Sequence, residues 1–196
     1  MQTAQVDALR ELLAPTGWLE RTRHFAGALR RRSRTPNGLL IVGTPADEPW
    51  HMTAHLADES RFAGLPELMP TLVRWAPPPG APAHLAVGID RLEQAGRTET
   101  LLVVTAEAAP APLLERVADA RKAGTAIFAL DQGDPDLDDL ASESLAIRPE
   151  LDPLSFDTAQ HLVSLGVAGA GADKQQASIR SRLNKLLTTL SGPQPE

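Results

Sequence analysis

Between residues 38 and 131 four short apolar runs alternate with segments of helical periodicity. This alternation constrains the fold more than any other feature of the chain. The runs are GLLIVGT (38–44), TLVRWA (71–76), TLLVVTA (100–106) and TAIFALD (125–131). Each is apolar on successive residues rather than on every second one. A strand wetted on one face alternates, whereas a strand covered on both faces does not. A fifth run, SLAIRP (144–149), follows. The segments between them predict helices over 49–63, 82–95 (ending at Gly96), 110–124 and 136–142. The third has Pro near its start and Gly at its end, the usual polarity of a helix. Strands alternating with helices predict an α/β three-layer sandwich around a five-stranded parallel sheet, Rossmann-like and right-handed in its crossovers. Ligands of such folds sit beyond the carboxyl ends of the strands. The loops that matter are therefore TPADEPW, APPPGAP, TAEAAPAP and DQGDPD.

The flanks read as helix. Residues 4–32 carry apolar faces at Val6, Leu9, Leu12 and Leu13, then at Trp18, Phe25 and Leu29, with an interruption at APTGW. Further helices are expected over 155–168 and 173–190. The chain divides into a helical extension (1–37), an α/β core (38–170) and a C-terminal helix with a frayed tail (171–196). The apolar terminal helices suit a homo-oligomer, a dimer or tetramer.

A chain of 196 residues suits one domain. It has no cysteine, which excludes disulfides, thiolate metal sites and cysteine nucleophiles. No apolar run approaches the ~20 residues of a membrane span, and MQTAQVDALRELL is not a secretory signal, so the expected location is the cytoplasm and no membrane partner is expected. The net charge is -6. Seven Arg oppose three carboxylates in residues 1–40, and eight carboxylates oppose Arg148 alone in 131–152. Such a surface is a poor general nucleic-acid binder. The segment RTRHFAGALRRRSR is read as a solvated helix end, with an acidic protein partner as the alternative. DQGDPDLDD lacks the Gly and closing Glu of a calcium loop and reads as a solvated loop with an Asp helix cap.

In WHMTAHLADES, His51, His55 and Glu59 follow at intervals of four and stack along one side of the 49–63 helix. Met52, Leu56 and Ala63 form the buried arc beside them, and Ser60 and Arg61 are expected to point elsewhere. One straight helix cannot wrap all three stripe residues around one ion, because eight residues rise ~12 Å. Glu59 is a candidate general base, with His161 or His55 as acid. The plainer reading is a His55–Glu59 pair at a helix edge.

These elements together resemble a sugar isomerase (SIS) domain, closest to the single-domain sedoheptulose-7-phosphate isomerase type. The resemblance rests on AHLADE, which carries a His-x-x-x-Glu pair at His55 and Glu59, on LDDLASESLAI before the last strand, and on TAQHLVSLGVAG as the closing helix. It spans roughly residues 5–168. It implies the five-stranded parallel sheet, oligomeric assembly and binding of a phosphosugar or other carbohydrate derivative. It also implies aldose–ketose isomerisation with Glu59 as base. In the metal-binding isomerases Gln and His of the closing helix complete a metal site. Here Gln160 and His161 are neighbours pointing about 100° apart, so no metal or other cofactor is expected.

The chain departs from the family at both phosphate loops. The first is GTPADEP, with Thr44, Asp47 and Glu48. The second is TAEAAP, with Thr105 and Glu107 in place of a Ser/Thr/Gly loop. Phosphate loops aim hydroxyls and backbone N–H groups at the anion near a helix N-terminus. Pro, Ala and carboxylates remove donors and add like charge. The expected function is therefore a non-catalytic, regulatory SIS-like binding protein with a degenerate phosphosugar site. The isomerase is the alternative.

Overall fold

A computed structural model describes Leu13 and residues 16–169. The five apolar runs form strands β1 (Leu39–Val42), β2 (Pro70–Val73), β3 (Thr100–Val104), β4 (Ala126–Asp131) and β5 (Glu143–Ala146). They make one sheet in the order β2-β1-β3-β4-β5, and every pair is parallel. Among the described residues five helices flank it: α1 (Trp18–Arg32), α2 (Trp50–Ala63), α3 (Ala111–Lys122), α4 (Pro135–Leu140) and α5 (Phe156–Gly169). The expected α/β sandwich is the observed one. No helix among the described residues is long and apolar enough to cross a membrane.

The unbroken apolar runs are explained by two cores, one on each face. Leu39, Ile41, Leu102, Val104, Phe128 and Leu130 pack with Trp18, Phe25, Leu29, Met52, Leu56 and Val163 of α1, α2 and α5. Leu40, Val42, Leu101, Val103, Ile127 and Ala129 pack with Leu113 and Val117 of α3 and Leu137 of α4. Successive strand residues point to opposite faces, so each run must be apolar throughout.

Three expectations need correction. Residues 82–95 are not one helix but two 3₁₀ segments, Ala83–Leu85 and Ile89–Gln94. Gly88 between them is extended, and the Val87 carbonyl accepts the Arg74 N–H at 2.9 Å. The backbone that would carry the helix through is used to prolong the edge of β2, where Arg74 bridges Gly88. Second, Ser60 does not point away from the core. It is 1% exposed, and its hydroxyl donates to the Leu65 carbonyl at 2.6 Å, closing the end of α2. Third, Leu13, Trp18, Phe25 and Leu29 are not a free oligomer surface, because they are buried in this chain's own core. Val6, Leu9, Leu12 and the 173–190 helix lie outside the described residues.

Candidate functional site

The order of strands places the switch in direction between β1 and β3, so the loops after these two strands meet at the sheet's carboxyl edge. After β1 the chain folds back on itself. The Thr44 N–H donates to the Asp47 carbonyl, and the Asp47 N–H donates to Thr44 Oγ1, both at 3.1 Å. The Trp75 indole donates to the Gly43 carbonyl at 2.9 Å. A Cβ on Gly43 would lie 2.2 Å from the Asp47 carbonyl oxygen and 2.6 Å from Pro49 Cδ. The chain itself fills the space over the strand end. Gly43→Ala is therefore expected to destabilise the protein by about 1–3 kcal/mol. An unchanged urea midpoint would show instead that the loop lifts off freely.

Glu48 is paired within the chain. Its carboxylate accepts from Arg74 Nε at 2.8 Å and from the Trp50 indole at 3.0 Å, and the Arg74 guanidinium lies over the Trp50 ring at 4.4 Å. After β3, Thr105 is fully buried. Its hydroxyl donates to the Glu107 carbonyl at 2.7 Å and accepts the Glu107 N–H at 3.1 Å. The Ala109 N–H is taken by the Asp134 carboxylate at 2.6 Å. Both helices at this edge begin at proline: Pro49 caps α2, and Pro110 and Pro112 flank the first residue of α3. Proline has no N–H to offer an anion. The Asp47 and Glu107 residues remain exposed.

Asp134 does cap α4, accepting from the Asp136 and Leu137 N–H groups, as expected for this loop. Sequence reading missed Asp131 beside it. Asp131 is 1% exposed at the end of β4 and accepts the Gly133 N–H at 2.6 Å. Burial pushes its carboxyl pKa up from the usual range. The signal available was a carboxylate as the last residue of an otherwise apolar strand.

The stripe on α2 meets α5. His51, His55 and His161 offer ring nitrogens that all lie within 4.8 Å of one another. The ring centroids stand 4.8 Å (His51–His55), 4.6 Å (His51–His161) and 4.3 Å (His55–His161) apart. Asp157, one turn before His161, places one carboxylate oxygen 3.2 Å from His51 Nδ1 and the other 3.8 Å from His161 Nε2. His51 is exposed, His55 half-buried and His161 5% exposed. Burial, then the neighbouring His55 and His51, push the His161 pKa down to about 4 against the pull of Asp157. Burial and His51 lower His55 in the same way. Glu59, half-buried one turn beyond His55, is outside the group of three rings. Of the sequence-stripe residues, two imidazoles thus join a third from 110 residues away. His51 and Asp157 were the members not singled out as partners of His161; the i, i+4 spacing of DTAQH (157–161) was the missed signal.

No family model matches the chain, and no curated protein matches it. Among solved structures, a protein of Salmonella typhimurium LT2 provisionally named as sugar-binding aligns with 91% of this chain and 54% of its own, at TM-score 0.58 and 17% identity. A protein of Silicibacter pomeroyi DSS-3 provisionally named as a phosphosugar isomerase aligns with 97% of this chain and 55% of its own, at TM-score 0.58 and 16% identity. The sugar isomerase domain of an RpiR transcription factor from Sphaerobacter thermophilus aligns with 93% of this chain and 98% of its own, at TM-score 0.50 and 12% identity. The chain spans about half the length of the first two. At these identities the likeness shows the fold: a sugar isomerase fold.

Proposed function

We propose that this chain, which has the fold of sugar isomerase domains, is a non-catalytic binding or regulatory protein whose phosphosugar site is closed. One observation carries this reading. The Thr44 and Thr105 hydroxyls, which a phosphate loop would aim at its ligand, are each tied back into their own loop. The chemistry left at the carboxyl edge is that of the exposed Asp47 and Glu107 carboxylates, which repel phosphate and accept from hydroxyls. That suits an uncharged carbohydrate derivative contacted by Asp47 and Glu107, at the edge where Thr44, Glu48 and Thr105 hold the loops in place. The reading includes assembly as a dimer or tetramer in the cytoplasm, with a protein partner at the Arg-rich segment as a further outlet. Regulation parallels the setting of the transcription-factor domain that shares the fold.

A second reading is an aldose–ketose isomerase with Glu59 as base and His55 or His161 as acid. The approach of the His55 and His161 rings favours it. The lowered pKa of both rings weighs against it, because it reduces the imidazolium form and leaves the neutral ring's N–H, a far weaker acid.

The test is a thermal-shift screen of the purified protein with glucose 6-phosphate and fructose 6-phosphate against glucose and fructose. A ligand at 100 times its Kd adds about 2.7 kcal/mol of stability. The expected result is no shift with the phosphosugars. A phosphosugar shift that disappears in Glu59→Gln would overturn the non-catalytic reading in favour of the isomerase. No shift with either sugar class would move the binding role to a protein partner.

A further inference from the structure

The carboxyl edge is not the only constellation with chemistry, and the one between α2 and α5 is of another kind. We propose that His51, His55 and His161, with Asp157 as fourth donor, bind one divalent transition-metal ion of the zinc class that ties α2 to α5. This does not rest on the binding reading above. The donor set also differs from the one the isomerase resemblance implies. Glu59 and Gln160 take no part, and His51 and Asp157 replace them.

The argument begins with spacing. His51 and His55 are four residues apart on α2, and Asp157 and His161 are four residues apart on α5. On each helix an i, i+4 pair stands on one face. The two helices pack against each other on the same side of the sheet. Two such pairs on facing helices are the arrangement by which helical proteins build metal sites from inward side chains. The limit of a single helix, which cannot surround an ion with its own stripe, is removed by the second helix.

Distances agree. Nitrogen atoms within 4.8 Å of one another surround a centre about 2.8 Å from each, and zinc–nitrogen bonds of about 2.0–2.1 Å require each to close by less than about 1 Å. Side-chain rotation supplies that. Asp157 Oδ1 already sits 3.2 Å from His51 Nδ1, close to the ~3.3 Å that separates neighbouring donors in a tetrahedron of such bonds, and Asp157 Oδ2 lies 3.8 Å from His161 Nε2. Three imidazoles and one carboxylate select borderline ions such as Zn²⁺, Co²⁺ or Ni²⁺ over Mg²⁺ and Ca²⁺, which prefer oxygen.

A second observation points the same way. His161 Nδ1 is buried and has no hydrogen-bond partner among the described residues. Each neutral imidazole carries one lone pair, so a cation among the three rings has three to accept from. Exposed His51 leaves a path for the ion to enter.

The experiment uses the untagged full chain, stripped with a chelator and dialysed. Zn²⁺ is followed by thermal shift and calorimetry, Co²⁺ by its visible absorption, and Mg²⁺ serves as control. The expected result is one Zn²⁺ per chain, a rise in melting temperature with Zn²⁺ and Co²⁺ but not Mg²⁺, and the intense visible bands of four-coordinate Co²⁺. His51→Ala changes an exposed residue and keeps the fold. It is expected to weaken Zn²⁺ binding at least tenfold, and Asp157→Asn to weaken it less. Absence of Zn²⁺ binding and of Co²⁺ bands would overturn the proposal. So would binding that persists unchanged in the His51→Ala, His55→Ala double variant.

Discussion

Between pH 6.5 and 4 the metal-free protein is expected to lose on the order of 3 kcal/mol of stability through His161 alone, given its folded-state pKa of about 4. The sign follows from which state binds the proton. Unfolded, the imidazole titrates near 6.5. Folded, it stays neutral until about pH 4, because α5 buries it against His55 and His51 and only Asp157 offsets this. Below pH 6.5 the unfolded chain therefore takes up a proton that the folded chain refuses. Stability is full above that pH and falls until the folded group protonates as well. His55, lowered for the same reasons, adds to the slope. Carboxylates titrate in this window too, so the measurement is a difference. Urea midpoints are taken every half pH unit for the wild type and for His161→Gln, which stays neutral throughout. The variant's curve is expected to be flatter. Parallel curves would mean that His161 is not held neutral by the fold.

Trp18→Ala is expected to cost about 3–5 kcal/mol, a large part of the total stability of a domain this size. The side chain is fully buried, and its indole donates to Asp152 Oδ1 at 2.6 Å. Arg21 Nη2 reaches the same oxygen at 3.2 Å, and the Arg148 N–H donates to Oδ2 at 2.8 Å. Burial raises the Asp152 pKa, but the bonds from the Arg148 N–H, Trp18 and Arg21 outweigh it and hold the carboxyl below its usual range. Removing the indole thus opens a cavity at the foot of α1 and strips a donor from the loop that leads into α5. Trp18→Phe separates the two effects. It keeps most of the apolar area and is expected to lose only about 1.5–3 kcal/mol, the worth of a hydrogen bond to a charged group. Denaturant midpoints decide between them. An alanine variant no less stable than the phenylalanine one would show that packing at this position contributes little.

The sheet was legible because its information is local. GLLIVGT, TLLVVTA and TAIFALD are apolar at every position, and the structure puts alternate residues of each into two different cores. The prolines and Asp134 mark helix starts by their own backbone chemistry. The failures have one cause. The segment 82–95 has helical apolar spacing, but tertiary pairing of Arg74 with Val87 and Gly88 claimed the backbone that a helix needs. Trp18, Phe25 and Leu29 were recognised as an apolar face, but an apolar face does not say what covers it. Here it is this chain's own sheet and α5.

The candidate sites divide along the same line. That Thr44, Asp47, Thr105 and Glu107 lie beyond the carboxyl ends of β1 and β3 follows from the alternation of elements and the hand of the crossovers. That the two threonine hydroxyls bond within their own loops does not, because it depends on turn geometry residue by residue. The sequence by itself determined an α/β sandwich and a His-x-x-x-His stripe on the helix after β1. The tertiary structure alone decided that this stripe meets His161. Among the described residues no strand follows α5, so no crossover rule assigns it a face. It lies beside α2 because Val163 and Val167 find apolar cover there, in one core with Phe25, Met52 and Leu56, and that packing brings residue 161 to residues 51 and 55.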